Sequence, residues 1–112
     1  MGCNVLVPVA NRISDGGCKT PRGHLKLSPN LVGEPFPIHG NAFQEPWQIK
    51  RVEGNEVCLT LQSEGPNRFR YSAQLRYKLE EGILSMDLEV INQADETLPD
   101  GIGFHPWLAR EE

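Results

Sequence analysis

From Phe69 to Glu80 the chain alternates without a break. Phe69, Tyr71, Ala73, Leu75, Tyr77 and Leu79 occupy one parity, and Arg70, Ser72, Gln74, Arg76, Lys78 and Glu80 the other. Successive side chains of a β-strand point to opposite sides, so this run predicts a strand with one buried and one wetted face. Glu80-Glu81-Gly82 turns the chain, and Leu84, Met86, Leu88 and Val90 then face inward while Ser85, Asp87 and Glu89 face outward. Two such runs around a short glycine-bearing connection read as a hairpin.

A second hairpin precedes it. Trp47 and Ile49 lead into a Gly54-Asn55 turn, after which Val57, Leu59 and Leu61 alternate with Cys58, Thr60 and Gln62. The segments VLVPV and GHLKL are shorter strand candidates, and Pro8 places the first at an edge or a bulge. No stretch of ten residues carries helical periodicity. The expected fold is all-β, an antiparallel β-sandwich built from a meander.

Bulk properties narrow the field. A chain of 112 residues forms one domain, small for a solitary core. With a net charge of −4 and no basic cluster, there is no electrostatic reason to expect nucleic acid or an anionic membrane as partner. The apolar runs are too short to span a bilayer and no basic leader precedes the first, so the expected location is the cytoplasm. Three cysteines (Cys3, Cys18 and Cys58) without CxxC spacing argue against a disulfide framework or a zinc site, and Cys58 reads as a small core side chain. MGCNVL lacks the Ser or Thr of an acylation signal. Neither a metal-ligand set nor a phosphate-cradling loop stands out, so no cofactor is implied.

The long irregular stretches ANRISDGGCKTPRG and SPNLVGEPFPIHGNAFQEP are where sites are usually built on a β scaffold. Three histidines are candidates. His24 reads as a surface or edge residue. His39 ends a proline-stiffened loop in PIHGNAF. His105 lies in DGIGFHPWL, where Pro106 biases its backbone toward extended geometry and so fixes the direction of its side chain.

The order of the pieces is informative. PVANRI, then PIHGNAF with PW following, then two hairpins ending in VIN, then LPDGIGFHPWL closely resembles the aldose 1-epimerases, or galactose mutarotases, over almost the whole chain. The resemblance implies a galactose mutarotase-like supersandwich that interconverts the α and β anomers of a neutral hexose, galactose or glucose, by acid–base ring opening. It implies that His105 exchanges a proton with the ring oxygen and that His39 hydrogen-bonds the sugar near the reacting atoms. Arg12 would donate to the sugar, Asn11 would brace the loop or touch the substrate, and Trp107, with Phe104, would offer an apolar face. Trp47 reads as core packing and Asn92 as a strand-end cap.

The related hexose-6-phosphate epimerase branch carries an arginine after its HG loop and no proline after its second histidine. HGNAFQEP and HPW depart from both features, which favours a neutral sugar. Asn41 stands where the family tends to carry a small residue, and so adds a side chain beside the expected pocket.

The family's general base is a glutamate well C-terminal of the H-P motif, whereas this sequence ends seven residues after His105. Residues 1–112 therefore read as a single partial domain, a central slice of the sandwich with weak turnover or none. Asp100, Glu111 and Glu112 read as turn or solvation residues rather than substitute bases. An incomplete sandwich leaves bare strand edges, so a homo-oligomer formed by strand pairing or exchange is expected. The alternative is a non-catalytic, carbohydrate-binding or self-associating β-sandwich fragment.

Overall fold

The computed structural model describes residues 2–111. Eight strands follow one another: β1 (Gly2–Leu6), β2 (Gly17–Thr20), β3 (Gly23–Lys26), β4 (Gln48–Glu53), β5 (Glu56–Ser63), β6 (Tyr71–Glu80), β7 (Ile83–Asn92) and β8 (Gly103–Trp107). Two single 3-10 turns, Ser14–Gly16 and Ala42–Gln44, complete the regular structure. All strand pairing is antiparallel, and the described residues contain no α-helix, hence none long and apolar enough to cross a membrane.

The alternating runs form a meander in the order β4-β5-β6-β7. Register follows from parity. Leu59 stands opposite Leu75, which stands opposite Leu88, and Leu61 opposite Ala73, which stands opposite Val90. A slip of one residue would turn this whole apolar set outward. Glu81 and Gly82, at φ +51° and +77°, close the β6–β7 hairpin with the backbone handedness that matches strand twist.

Over the inner face of this sheet lies a thinner second layer: the β1–β8 ribbon, the β2–β3 hairpin and their connections. Val5, Val7, Val9, Leu25 and Leu27 meet Leu61, Phe69, Tyr71, Ala73 and Leu75 in one buried cluster. Each large side chain so buried contributes roughly 1.5–3 kcal/mol. A polar thread runs through it. Tyr71 donates its hydroxyl to Asn41 Oδ1 at 2.7 Å, and Asn41 Nδ2 donates to Ser63 Oγ at 2.8 Å. Burial pushes the Tyr71 phenol up to about 12. Asn41, expected beside the pocket, is thus turned into the core.

The structure corrects several other expectations. Phe69 precedes β6 rather than opening it, though it is still buried. Residues 17–20, read as irregular loop, pair with β3. Cys58 is buried, but on the outer face among Arg51, Arg76 and Asp87 rather than in the main cluster. The inner face is covered at one end only. Leu79 and Leu84, both expected inside, are 56% and 55% exposed, and β4 is exposed along its full length.

Candidate functional site

The site is assembled from three loops and one strand, and its hinge is Gly40. At φ +66° this residue sits so close to the chain that a Cβ would lie 2.0 Å from the Val7 carbonyl oxygen. That same oxygen accepts from the N–H groups of Asn41 (3.0 Å) and Ala42 (3.2 Å). Only glycine fits there. The residue before it, His39, is itself left-handed at φ +62°, as is Asn11 at φ +64°.

His39 and Asn11 hold each other. The His39 N–H donates to the Asn11 carbonyl at 3.0 Å, and the Asn11 N–H donates to His39 Nδ1, also at 3.0 Å. A ring nitrogen that accepts carries no proton, so the neutral His39 ring bears its hydrogen on Nε2 and presents it as a donor. Burial first, then the charges of His105 and Arg12, draw the His39 pKa below its ordinary value, while Glu34 opposes the shift. All four influences favour or oppose the same state: a neutral, donating imidazole.

Asn30 clamps the loop from the other side. Its Oδ1 accepts from the Ile38 N–H at 2.8 Å, and its Nδ2 donates to the carbonyls of Ile38 (2.9 Å) and Gly40 (2.8 Å). Gln44 Nε2 donates back to the Asn30 carbonyl at 2.8 Å. One side-chain amide therefore does for the histidine loop what a neighbouring strand would do.

His105 lies on β8 opposite Asn4, so the stiffness expected of its backbone comes from strand pairing as well as from Pro106. Its ring centroid is 5.7 Å from that of His39 and 5.1 Å from that of Trp107. His105 Nδ1 is buried with no hydrogen-bond partner among the described residues, which leaves Nε2 as the nitrogen a ligand can reach. Phe43 stands edge-on to His39 at 6.3 Å, a neighbour that no sequence signal marked. Trp107 is 60% exposed, its indole free beside His105.

Arg12 was expected to donate to a sugar from its planar fork. In the structure its Nε and Nη2 donate to the two oxygens of Glu34 at 2.7 and 2.6 Å. Glu34 went unmarked in the sequence because nothing local joins it to a residue 22 positions earlier. Phe104, a candidate for the apolar wall, instead packs against the core opposite Val5. Trp47 packs on the core and donates to the Ala42 carbonyl at 2.9 Å, as expected. Asn92 caps the end of β7 by accepting from the Ala94 N–H and donating to the Glu96 carbonyl. His24 is an exposed residue of β3. Partial burial raises the Asp100 carboxyl above its usual range. Glu111 is exposed, and Glu112 lies outside the described residues.

His39, His105 and Trp107 thus form one partly exposed shelf, with Arg12 close enough for its charge to be felt at His39. A hollow of about 500 Å³ lies elsewhere, on the outer face of the meander around Gln48, Thr60, Gln62 and Gln74. Among the described residues no three His, Cys, Asp or Glu side chains are grouped as a metal ion would need.

The family model for aldose 1-epimerase matches residues 1–112. The chain belongs to the aldose 1-epimerase family. A solved structure from Escherichia coli K12, described as a candidate aldose 1-epimerase, superposes with a TM-score of 0.88 at 31% identity, over 93% of this chain and 35% of its own. YphB of Escherichia coli K12, itself uncharacterized, is 30% identical over 106 residues, which cover 95% of this chain and 36% of YphB. YihR of the same organism, also uncharacterized, is 30% identical over 107 residues, 93% of this chain and 35% of YihR. This aldose 1-epimerase family chain therefore spans about a third of the length of the relatives it matches.

Proposed function

We propose that the chain carries the two-histidine part of an aldose 1-epimerase site and acts on a neutral hexose, galactose or glucose, with no cofactor. The observation that carries this reading is the approach of the His39 and His105 rings to 5.7 Å on a shelf edged by Trp107. Ring opening requires the C1 hydroxyl proton to pass to a base, here solvent water at the open edge of the shelf, while another proton reaches the ring oxygen. The C1–ring oxygen bond then breaks, the open aldehyde turns about C1–C2, and reclosure delivers the other anomer. His105, through Nε2, supplies the ring-oxygen proton and takes it back on closure, a reversible duty suited to an imidazole. His39 donates from its own Nε2 to a sugar oxygen, Arg12 donates from the edge that Glu34 leaves free, and Trp107 covers the C–H face of the pyranose.

Polarimetry on freshly dissolved α-D-galactose tests the proposal. Rotation should drift to equilibrium slightly faster than in buffer, and His105→Ala should return the trace to the buffer rate. A wild-type trace identical to buffer would overturn the catalytic reading.

A second reading, sugar binding without turnover, rests on a specific contact. The carboxylate that lies beside Arg12 and His39, Glu34, has both oxygens committed to the guanidinium, and so is a poor base for the C1 hydroxyl. Galactose binding without a faster drift would select this reading. The setting we propose is the cytoplasm, without nucleic-acid or membrane partners, and with copies of the chain associating through their bare strand edges.

A further inference from the structure

We propose that Glu34 is a positioning residue for the sugar site: it locks the Arg12 guanidinium in one plane so that the remaining N–H groups face the His39–His105 shelf. The inference rests on the proposed sugar site and goes beyond it by assigning a role to a carboxylate outside the histidine loop motif.

Three observations carry it. First, the pairing is bidentate: Arg12 Nε and Nη2 donate to Glu34 Oε2 and Oε1 at 2.7 and 2.6 Å. Two parallel bonds fix a planar group in both direction and tilt, which a single contact cannot do. They occupy two of the five guanidinium donors and leave three for a ligand. Second, the carboxylate is itself held in place. Glu34 closes a tight turn by donating its N–H to the Leu31 carbonyl at 3.1 Å, with Gly33 at φ +84°, and Pro35 and Pro37 follow. Third, the pair is not needed to hold the two loops together. Ile13 N–H already donates to the Pro37 carbonyl and His39 N–H to the Asn11 carbonyl, both at 3.0 Å, and Arg12 and Ile38 form an antiparallel bridge. With the backbones pinned, what the side-chain pair adds is the orientation of the guanidinium.

Solution NMR of the full chain with D-galactose as probe tests the assignment. In the wild type the Arg12 Nε–H should give a slowly exchanging, downfield signal that moves on adding galactose. Glu34→Gln should erase the slow exchange and weaken galactose binding by about tenfold, with an unchanged thermal midpoint. Glu34→Asp, which keeps the charge on a shorter arm, should recover part of both. Loss of the Arg12 signal with unchanged galactose affinity would overturn the positioning role, and so would a signal that survives Glu34→Gln. Loss of anomer interconversion in Glu34→Gln with binding and the Arg12 signal intact would overturn it in favour of a base. A wild type that ignores galactose would overturn the sugar site itself, and this role with it, a failure distinct from the other three.

Discussion

The acceptor state of His39 Nδ1 gives the site a pH dependence with a definite sign. The folded ring titrates below its ordinary value of 6.5, chiefly because it is buried, so the unfolded chain binds more protons once the pH falls past that value. The stability due to the neutral ring is complete above about pH 6.5 and is lost below it. Urea midpoints should therefore fall between about pH 7.5 and pH 5.5 in the wild type, and His39→Asn should flatten that slope. Gly40→Ala is the sharpest single test of the loop. A Cβ 2.0 Å from the Val7 oxygen, at positive φ, should cost about 2–4 kcal/mol in denaturant unfolding. The order of motifs, through the family resemblance, pointed to His39, His105 and Arg12 as a group. It did not point to Asn30 or Glu34, because neither acts on a sequence neighbour. Their partners are a backbone segment 8–10 residues on and a guanidinium 22 residues back, distances that only the folded chain closes.

At the scale of elements, strands whose two faces differ were easy to read. β5, β6 and β7 alternate because one side meets the buried cluster and the other meets water, and the pairing of Leu59, Leu75 and Leu88 follows from that parity. β2 was not legible: GCKT is four residues long and shows no alternation, so its pairing with GHLK leaves no mark in the sequence. The two exposed leucines at the hairpin end of the meander show the opposite failure. The pattern assigned them an inner face, which they have, but it could not say what covers that face. The buried Tyr71–Asn41–Ser63 thread ties β6 and β5 to the loop after Gly40. Tyr71→Phe should cost about 1–2 kcal/mol, since it strips Asn41 Oδ1 of its donor. Because burial holds the folded phenol neutral until about 12, the stability it adds is present below pH 10 and lost as the pH climbs from there. An alkaline unfolding scan should show this limb in the wild type and a shallower one in Tyr71→Phe, where Tyr77, also raised by burial, remains.

At the scale of the whole molecule, the meander ends in two edge strands and carries apolar side chains with little over them: Ile49 is 70% exposed, Val52 68%, Leu79 56% and Leu84 55%. Exposed apolar edges of this kind recruit further strands. Sedimentation velocity at micromolar concentration should show species larger than one chain, and Ile49→Lys with Val52→Lys should shift them toward the monomer. A single-chain boundary in the wild type would contradict the association proposed above.

One detail of the histidine loop reaches beyond the fresh protein. The clamp at Asn30 works only while its side chain can donate, since the Ile38 and Gly40 carbonyl oxygens both look to that one nitrogen. Slow hydrolysis to a carboxylate, the common chemistry of ageing in stored protein, would set an anion against two oxygens in the same space and spring the latch without altering any other atom. The lifetime of the loop's geometry in a stored preparation would then be the lifetime of a single amide.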